Sequence, residues 1–174
     1  MKALNYLLTF FFIISILSAS VSAQTKILIG IYDSRAVAIA YGNSSEGKAK
    51  INELWAGLKN AKSTKNDSLI RRLKVRGVAY QTLAHLCAFS YGSVVEILEK
   101  HKAEVDSIEK STHVQALVSR YELLQNTGTI ETVDITNNLV QLFNPSEQVR
   151  QWIGEAAKQA PLPMVDVLSL PPGE

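Results

Sequence analysis

The sequence predicts an α+β fold: a small β-sheet body whose first strand pairs with late strands, with a helical insertion and C-terminal helices. Three observations predict it. Residues 26–32 (KILIGIY) form a short apolar, β-branched run with the length and composition of a buried strand. A stretch over about 46–111 then follows helical spacing. β-branched runs return only after it, at 114–118 (VQALV) and 130–135 (IETVDI). A lone strand leaves its backbone groups unpaired, so the first run must meet the late ones across the helical middle.

The elements follow in order. Residues 1–23 combine Lys2, an apolar run over 7–17 (LLTFFFIISIL) and a small-residue end, SASVSA. That is the layout of an export signal cleaved after Ala23. The run is shorter than the roughly 20 residues a bilayer span needs, so no integral span is expected after cleavage. The mature chain is expected in the periplasm or outside the cell. After KILIGIY, Asp33 and Ser34 are N-cap candidates for a short helix, RAVAIAY. GNSSEG breaks it. Ser45 or Ser44 then caps a helix whose Ile51, Leu54, Trp55 and Leu58 fall on one apolar stripe.

STKND at 63–67 interrupts that pattern. A second helix over about 68–89 offers Leu69, Leu73, Val78, Leu83, Leu86 and Cys87 for burial, and Gly77 weakens its middle. FSYGS at 89–93 makes a turn, and Ser93-Val94-Val95-Glu96 reads as a capping box opening one helix to about residue 111. VQALV and IETVDI follow as strands, with a further candidate at 122–125. Asp134 or Thr136 caps TNNLVQLF. Asn144, Pro145 and Glu147 read as the start of a last helix that buries Val149, Trp152, Ile153, Ala156 and Ala157. The domain is expected to run from 24 to 160, with 161–174 as an extended Pro-rich tail.

Removing Lys2 with the signal leaves 17 of the 18 bases against 16 acids. Such a balance offers no overall attraction to nucleic acid or an anionic membrane, and no nucleic-acid partner is expected. The charge is unevenly placed. Residues 47–76 hold nine bases against Glu53 and Asp67, and residues 96–109 hold five acids against Lys100 and Lys102. Lys59, Lys62, Lys65, Arg71 and Arg72 therefore make a candidate basic surface for an acidic client. Cys87 is the only cysteine, so no internal disulfide forms, and its apolar helical setting suits a buried thiol.

No sequence motif dictates a reaction. His85, His101 and His113 show no metal-ligand spacing, and there is no HExxH, CxxC, GxSxG or glycine-rich phosphate loop. No cofactor, metal or catalytic residue is expected. The best candidate for ligand chemistry is Asp33, Ser34 and Arg35, at the carboxyl end of the first strand where a helix begins. Backbone N–H groups and a guanidinium there can hold an anion, or the three residues can be a helix cap with a salt bridge. Arg120 and Asp134 border the late strands and can converge on the same edge.

Several strings resemble the Skp-like (OmpH family) periplasmic chaperones. ILIGIYDSRAVAIAYGNSSEG resembles that family's first strand and short helix, while HVQALVSRYELL and ETVDITNNLVQLF look like its closing strands and helix. The resemblance covers nearly the whole mature chain in topology but only about 40 residues in sequence. It implies two helices sent out and back as arms, a homo-oligomer (a trimer sharing one sheet body) and binding of unfolded envelope polypeptides. Two departures stand out: the helical middle is short and broken at STKND and FSYGS, and a helix and tail extend past the family's usual end. The chain also resembles uncharacterised exported bacterial proteins, which carry no activity to transfer. An exported small-molecule binder or enzyme using the Asp33/Arg35 edge is the alternative function.

Overall fold

The computed structural model describes residues 27–123 and 130–170. The signal segment and part of the 122–125 strand candidate lie outside the described residues. Within them the α+β architecture is as the sequence predicts. β1 (Leu28–Tyr32) is the central strand of a three-stranded sheet ordered β2–β1–β3, with β2 at Ala116–Ser119 and β3 at Glu131–Asp134. Both pairings are parallel, with Gly30 opposite Leu117 on one side and Val133 on the other. A Cβ on Gly30 would lie 2.9 Å from side-chain atoms of Leu117 and Ile135, so the glycine makes room for both over the sheet.

Asp33 caps α1 (Ser34–Asn43), its Oδ1 accepting from the N–H groups of Arg35 and Ala36. The small residues of α1 let other elements approach from several sides, and Ala36, Val37, Ala38 and Ala40 are all buried. α1 packs on the helices over 45–63, 67–89, 136–141 and 147–157. Ser44 turns the chain: its Oγ donates to the carbonyl of Tyr41 and accepts from the N–H of Gly47, capping α2 (Ser45–Ser63). Left-handed Lys65 closes α2, and Asn66 caps α3 (Asp67–Phe89) through the N–H of Leu69. The two long helices pack on each other as a hairpin.

Five expectations are corrected downstream. The helix expected over 93–111 is two, α4 (Val95–Lys100) and α5 (Lys102–Thr112). The break falls at His101, whose ring is held by Glu46 of α2 and lies edge-on to Phe143, 5.2 Å away. Ser93 forms no capping box: the residue at the cap is Val94, and Ser93 Oγ accepts only from the N–H of Val95. Glu122 sits in a turn rather than a strand. Asn144 is left-handed and donates its N–H to the carbonyl of Gln141, finishing the turn after α6 (Thr136–Gln141). The cap of α7 (Glu147–Ala157) is therefore Ser146, and Trp152 and Ala157 face outward rather than inward.

Over its described residues, 161–170, the tail is not wholly extended. It forms α8 (Met164–Leu168), which buries Val167 and packs on α3. The N–H of Leu162 donates to the carbonyl of Phe89, and fully buried Ser90 donates its hydroxyl to the carbonyl of Leu162. The polar requirement of Ser90 thus anchors a segment that composition alone marks as loose. The core joins Val37 and Tyr41 of α1 to Cys87, Val94, Leu98 and Val105, and these to Ile135, Leu139, Val140 and Phe143. Among the described residues no helix is long and apolar enough to cross a membrane.

Candidate functional site

At the carboxyl ends of the three strands the sequence-predicted polar residues come together. Asp33 follows β1, Arg120 follows β2 and Asp134 ends β3, so parallel pairing brings all three to one edge. Arg120 Nη2 donates to Asp134 Oδ2 at 2.6 Å, and its Nη1 lies 3.9 Å from Asp33 Oδ2. Arg35 Nη2 lies 3.6 Å from the same Asp33 oxygen, and Arg35 Nη1 donates to the carbonyl of Gln159. Ser34 is buried beside them. Thr136 accepts from the N–H of Asp33 through its hydroxyl and donates its own N–H to Asp134 Oδ1.

Tyr121, Thr136 and Gln159 complete the cluster, and the sequence reading did not single them out for it. Tyr121 donates its hydroxyl to Asp33 Oδ2 at 2.9 Å, and its ring lies 5.2 Å from the Arg35 guanidinium carbon. Burial, and then the hydrogen bond to Asp33, pushes the Tyr121 phenol up to about 12. Burial also acts to raise the Asp134 carboxyl, but hydrogen bonds from Thr136 and the charge of Arg120 outweigh it and leave it below its ordinary value. Two carboxylates face two guanidinium groups, so the cluster has no surplus charge to draw an anion. Asp33 and Arg35 are only 3% and 4% exposed. The arrangement locks the three strand ends together more readily than it admits a ligand.

The second candidate is the hairpin. Its stripe exists as the periodicity predicts, but most of it is not buried. Only Gly47 and Ala61 of α2 and Cys87 of α3 are fully buried. Trp55 is 58% exposed and Val75 70%, with Ile51, Val78 and Leu83 also open to solvent. Ile51, Leu54, Trp55 and Leu58 of α2 face Leu73 and Val78 of α3 across an apolar groove of about 690 Å3. Gly77, with no side chain, lines its floor. Lys59, Lys62, Lys65, Arg71 and Arg72 cluster at the far end, all exposed, and none enters an ion pair among the described residues.

The remaining candidates are structural. Cys87 is buried, its thiol donates to the carbonyl of Ser93, and burial raises its pKa, which makes it a poor nucleophile. His101 Nε2 meets Glu46 Oε2 at 3.0 Å and ties α2 to the α4–α5 junction. His113 is the left-handed cap of α5, and His85 packs against the ring of Phe89. Compared with protein-family models, curated proteins and solved structures, the chain matches none.

Proposed function

We propose that this is an exported, non-catalytic protein that binds other polypeptides through the α2–α3 hairpin, in the manner of the Skp-like chaperones it resembles. One observation carries the proposal: an apolar groove runs along an arm that the rest of the described chain leaves open. A contiguous apolar patch of this kind on a folded protein marks an interaction surface. The unpaired bases at its far end add attraction for acidic segments, which falls with added salt. The leader-like residues 1–23 support a reading in which the clients are unfolded envelope polypeptides. A homo-oligomer raises the number of arms and strengthens binding without new contacts.

The test is suppression of aggregation of an unfolded outer-membrane protein by the chain purified from an exporting host. Trp55→Asp and Val78→Glu place charge on the open groove without entering the core. Each is expected to abolish holding while leaving helical content unchanged. Wild-type chain with no holding activity, or full activity in both variants, would refute the proposal.

A second reading, an anion or small-molecule site at Asp33/Arg35, rests on a single feature. Arg35 Nε is buried with no hydrogen-bond partner among the described residues, at the strand ends where parallel α/β sheets commonly bind ligands. A thermal-shift screen of phosphates and carboxylates decides it. A stabilising hit that Arg120→Ala removes supports the site, and a screen with no hit eliminates it.

A further inference from the structure

Fixed charge inside the groove has one sign. Lys62 of α2 and Lys74 of α3 line it among the apolar side chains, and among the described residues no aspartate or glutamate does. Neither lysine enters an ion pair there. A Cβ on Gly57 would lie 3.5 Å from Leu73, which fixes the facing turns of the two helices and sets Lys74 on the wall opposite Gly57. The Cα–Cβ bonds of a helix tilt toward its N-terminus. Lys62 therefore leans back from the tip while Lys74, on the antiparallel helix, leans toward it, which brings both side chains to the same half of the groove. Tyr80, Gln81 and His85 line the other end. The lining on α2 runs from Ile51 to Lys62, roughly 16 Å of helix.

We infer that the groove binds a long-chain carboxylate, its hydrocarbon chain on the apolar floor and its head group between Lys62 and Lys74. This goes beyond polypeptide binding: it gives the same surface a small ligand, and it stands on the lining of the groove whether or not clients use it. An apolar space of about 690 Å3 falls within the range of small-ligand sites, about 300–1,000 Å3. Both helices satisfy their own backbones, so the groove offers no partners to the N–H and C=O groups of an extended peptide. A polypeptide must coil into a helix to lie there, whereas an acyl chain has no such groups to satisfy. Length also fits. With C–C bonds of about 1.5 Å at tetrahedral angles an extended chain advances about 1.25 Å per carbon, so about thirteen carbons match the groove. The head group follows from the two lysines. Each is a single point of charge, which suits a carboxylate, while a phosphate favours the fork of an arginine, and neither Arg71 nor Arg72 lines the groove.

Fluorescence of Trp55 tests this, in the chain as processed by an exporting host and carrying Trp152→Phe to leave one tryptophan. Octanoate, decanoate, dodecanoate and tetradecanoate, each below its micelle-forming concentration, should shift the emission to shorter wavelength. A fully buried methylene tightens binding about fourfold and a half-buried one about twofold, so each step of two carbons should gain about fourfold until the chain outgrows the groove. Dodecyltrimethylammonium and dodecyl maltoside carry the dodecyl chain on cationic and neutral heads and should bind at least about tenfold more weakly than dodecanoate, as should dodecanoate to chain bearing both Lys62→Glu and Lys74→Glu. Lys48→Glu makes the same kind of charge change on α2 outside the groove and should leave the affinity unaltered. Val78→Glu should abolish binding with helicity unchanged. Equal affinity for the three head groups, indifference to the double lysine change, or no response to any of the acids would each overturn the inference. Self-association lost in Val78→Glu, with no acid bound, would give the groove to a second copy and overturn it too. A chain that binds dodecanoate but holds no unfolded outer-membrane protein supports this inference and removes the client reading; holding without dodecanoate binding does the reverse.

Discussion

Tyr121 joins two functions in one side chain: its hydroxyl satisfies Asp33 and its ring covers Arg35. A phenol pKa raised from 10 to about 12 means that the folded chain holds this proton more tightly than the unfolded chain does. The contribution to stability is therefore complete below pH 10 and is lost as pH climbs from 10 toward about 12. Tyr121→Phe keeps the ring and removes the donor. Hydrogen bonds to charged acceptors contribute about 1.5–3 kcal/mol, and partial exposure of Tyr121 brings the expected loss at neutral pH to about 1 kcal/mol. Urea unfolding at pH 7 and across pH 9–12 checks both parts: the variant should be less stable at pH 7 and show a shallower alkaline decline. Asp134 runs with the opposite sign. Its depressed carboxyl supplies stability above its ordinary value of 3.8 that disappears as pH falls through the lower folded value.

Among the helices, two glycines with the same helical conformation are expected to respond in opposite directions. A Cβ on Gly47 would run into the carbonyl oxygen of Tyr41, so the close return of α2 against α1 requires a bare Cα. A Cβ on Gly77 would meet nothing within 4 Å, because α3 is open there. Gly77→Ala is expected to raise stability by about 0.5–1 kcal/mol through helix propensity. Gly47→Ala is expected to lower it by about 2 kcal/mol or more through backbone displacement. Thermal unfolding of the pair reads both signs in one experiment. The contrast also shows which parts of the elements were legible in the sequence. Element type followed from local periodicity, so KILIGIY, VQALV, IETVDI and the two long helices lie where spacing places them. Ser44 and Asp33 were legible as caps because capping is a contact over two or three residues. The break at His101, the left-handed Asn144 and the docking of α8 depend on partners 55 residues away or more, or on conformations that several residue types can adopt. Asp33, Ser34 and Arg35 were legible as one group because they adjoin in sequence; that Arg120 and Asp134 join them follows from the parallel pairing of the strands, which local spacing does not specify. That Tyr121 and Gln159 would close over them was not legible, since neither lies on a periodic face.

At the scale of the whole molecule, the body and the arm are separable in their energetics. Among the described residues, only Cys87 and the partly buried Ala88 at its root join the hairpin to the buried cluster, which is otherwise built from Tyr32, α1, the α4–α5 region and the segment after β3. Folding of the body instead depends on sequence-distant pairing, because β1 becomes a central strand only when residues 116–119 and 131–134 arrive on its two sides. Shortening both arm helices by two turns, about seven residues each, removes 55–61 and 69–75 and keeps the hairpin in register around its native turn. The groove loses Trp55, Leu58, Leu73 and Lys74, and the basic surface loses Lys59, Arg71 and Arg72. The shortened chain is expected to keep cooperative unfolding with a Tm within about 5 °C of the full chain, since a change of 1 kcal/mol moves a domain of this size by about 2–4 °C. It is also expected to lose client holding. A collapse of Tm on shortening would show the arm to be a structural member of the fold, and retained holding would move the binding surface to the body. Unchanged stability with lost binding is the outcome that a stable platform bearing an open arm demands.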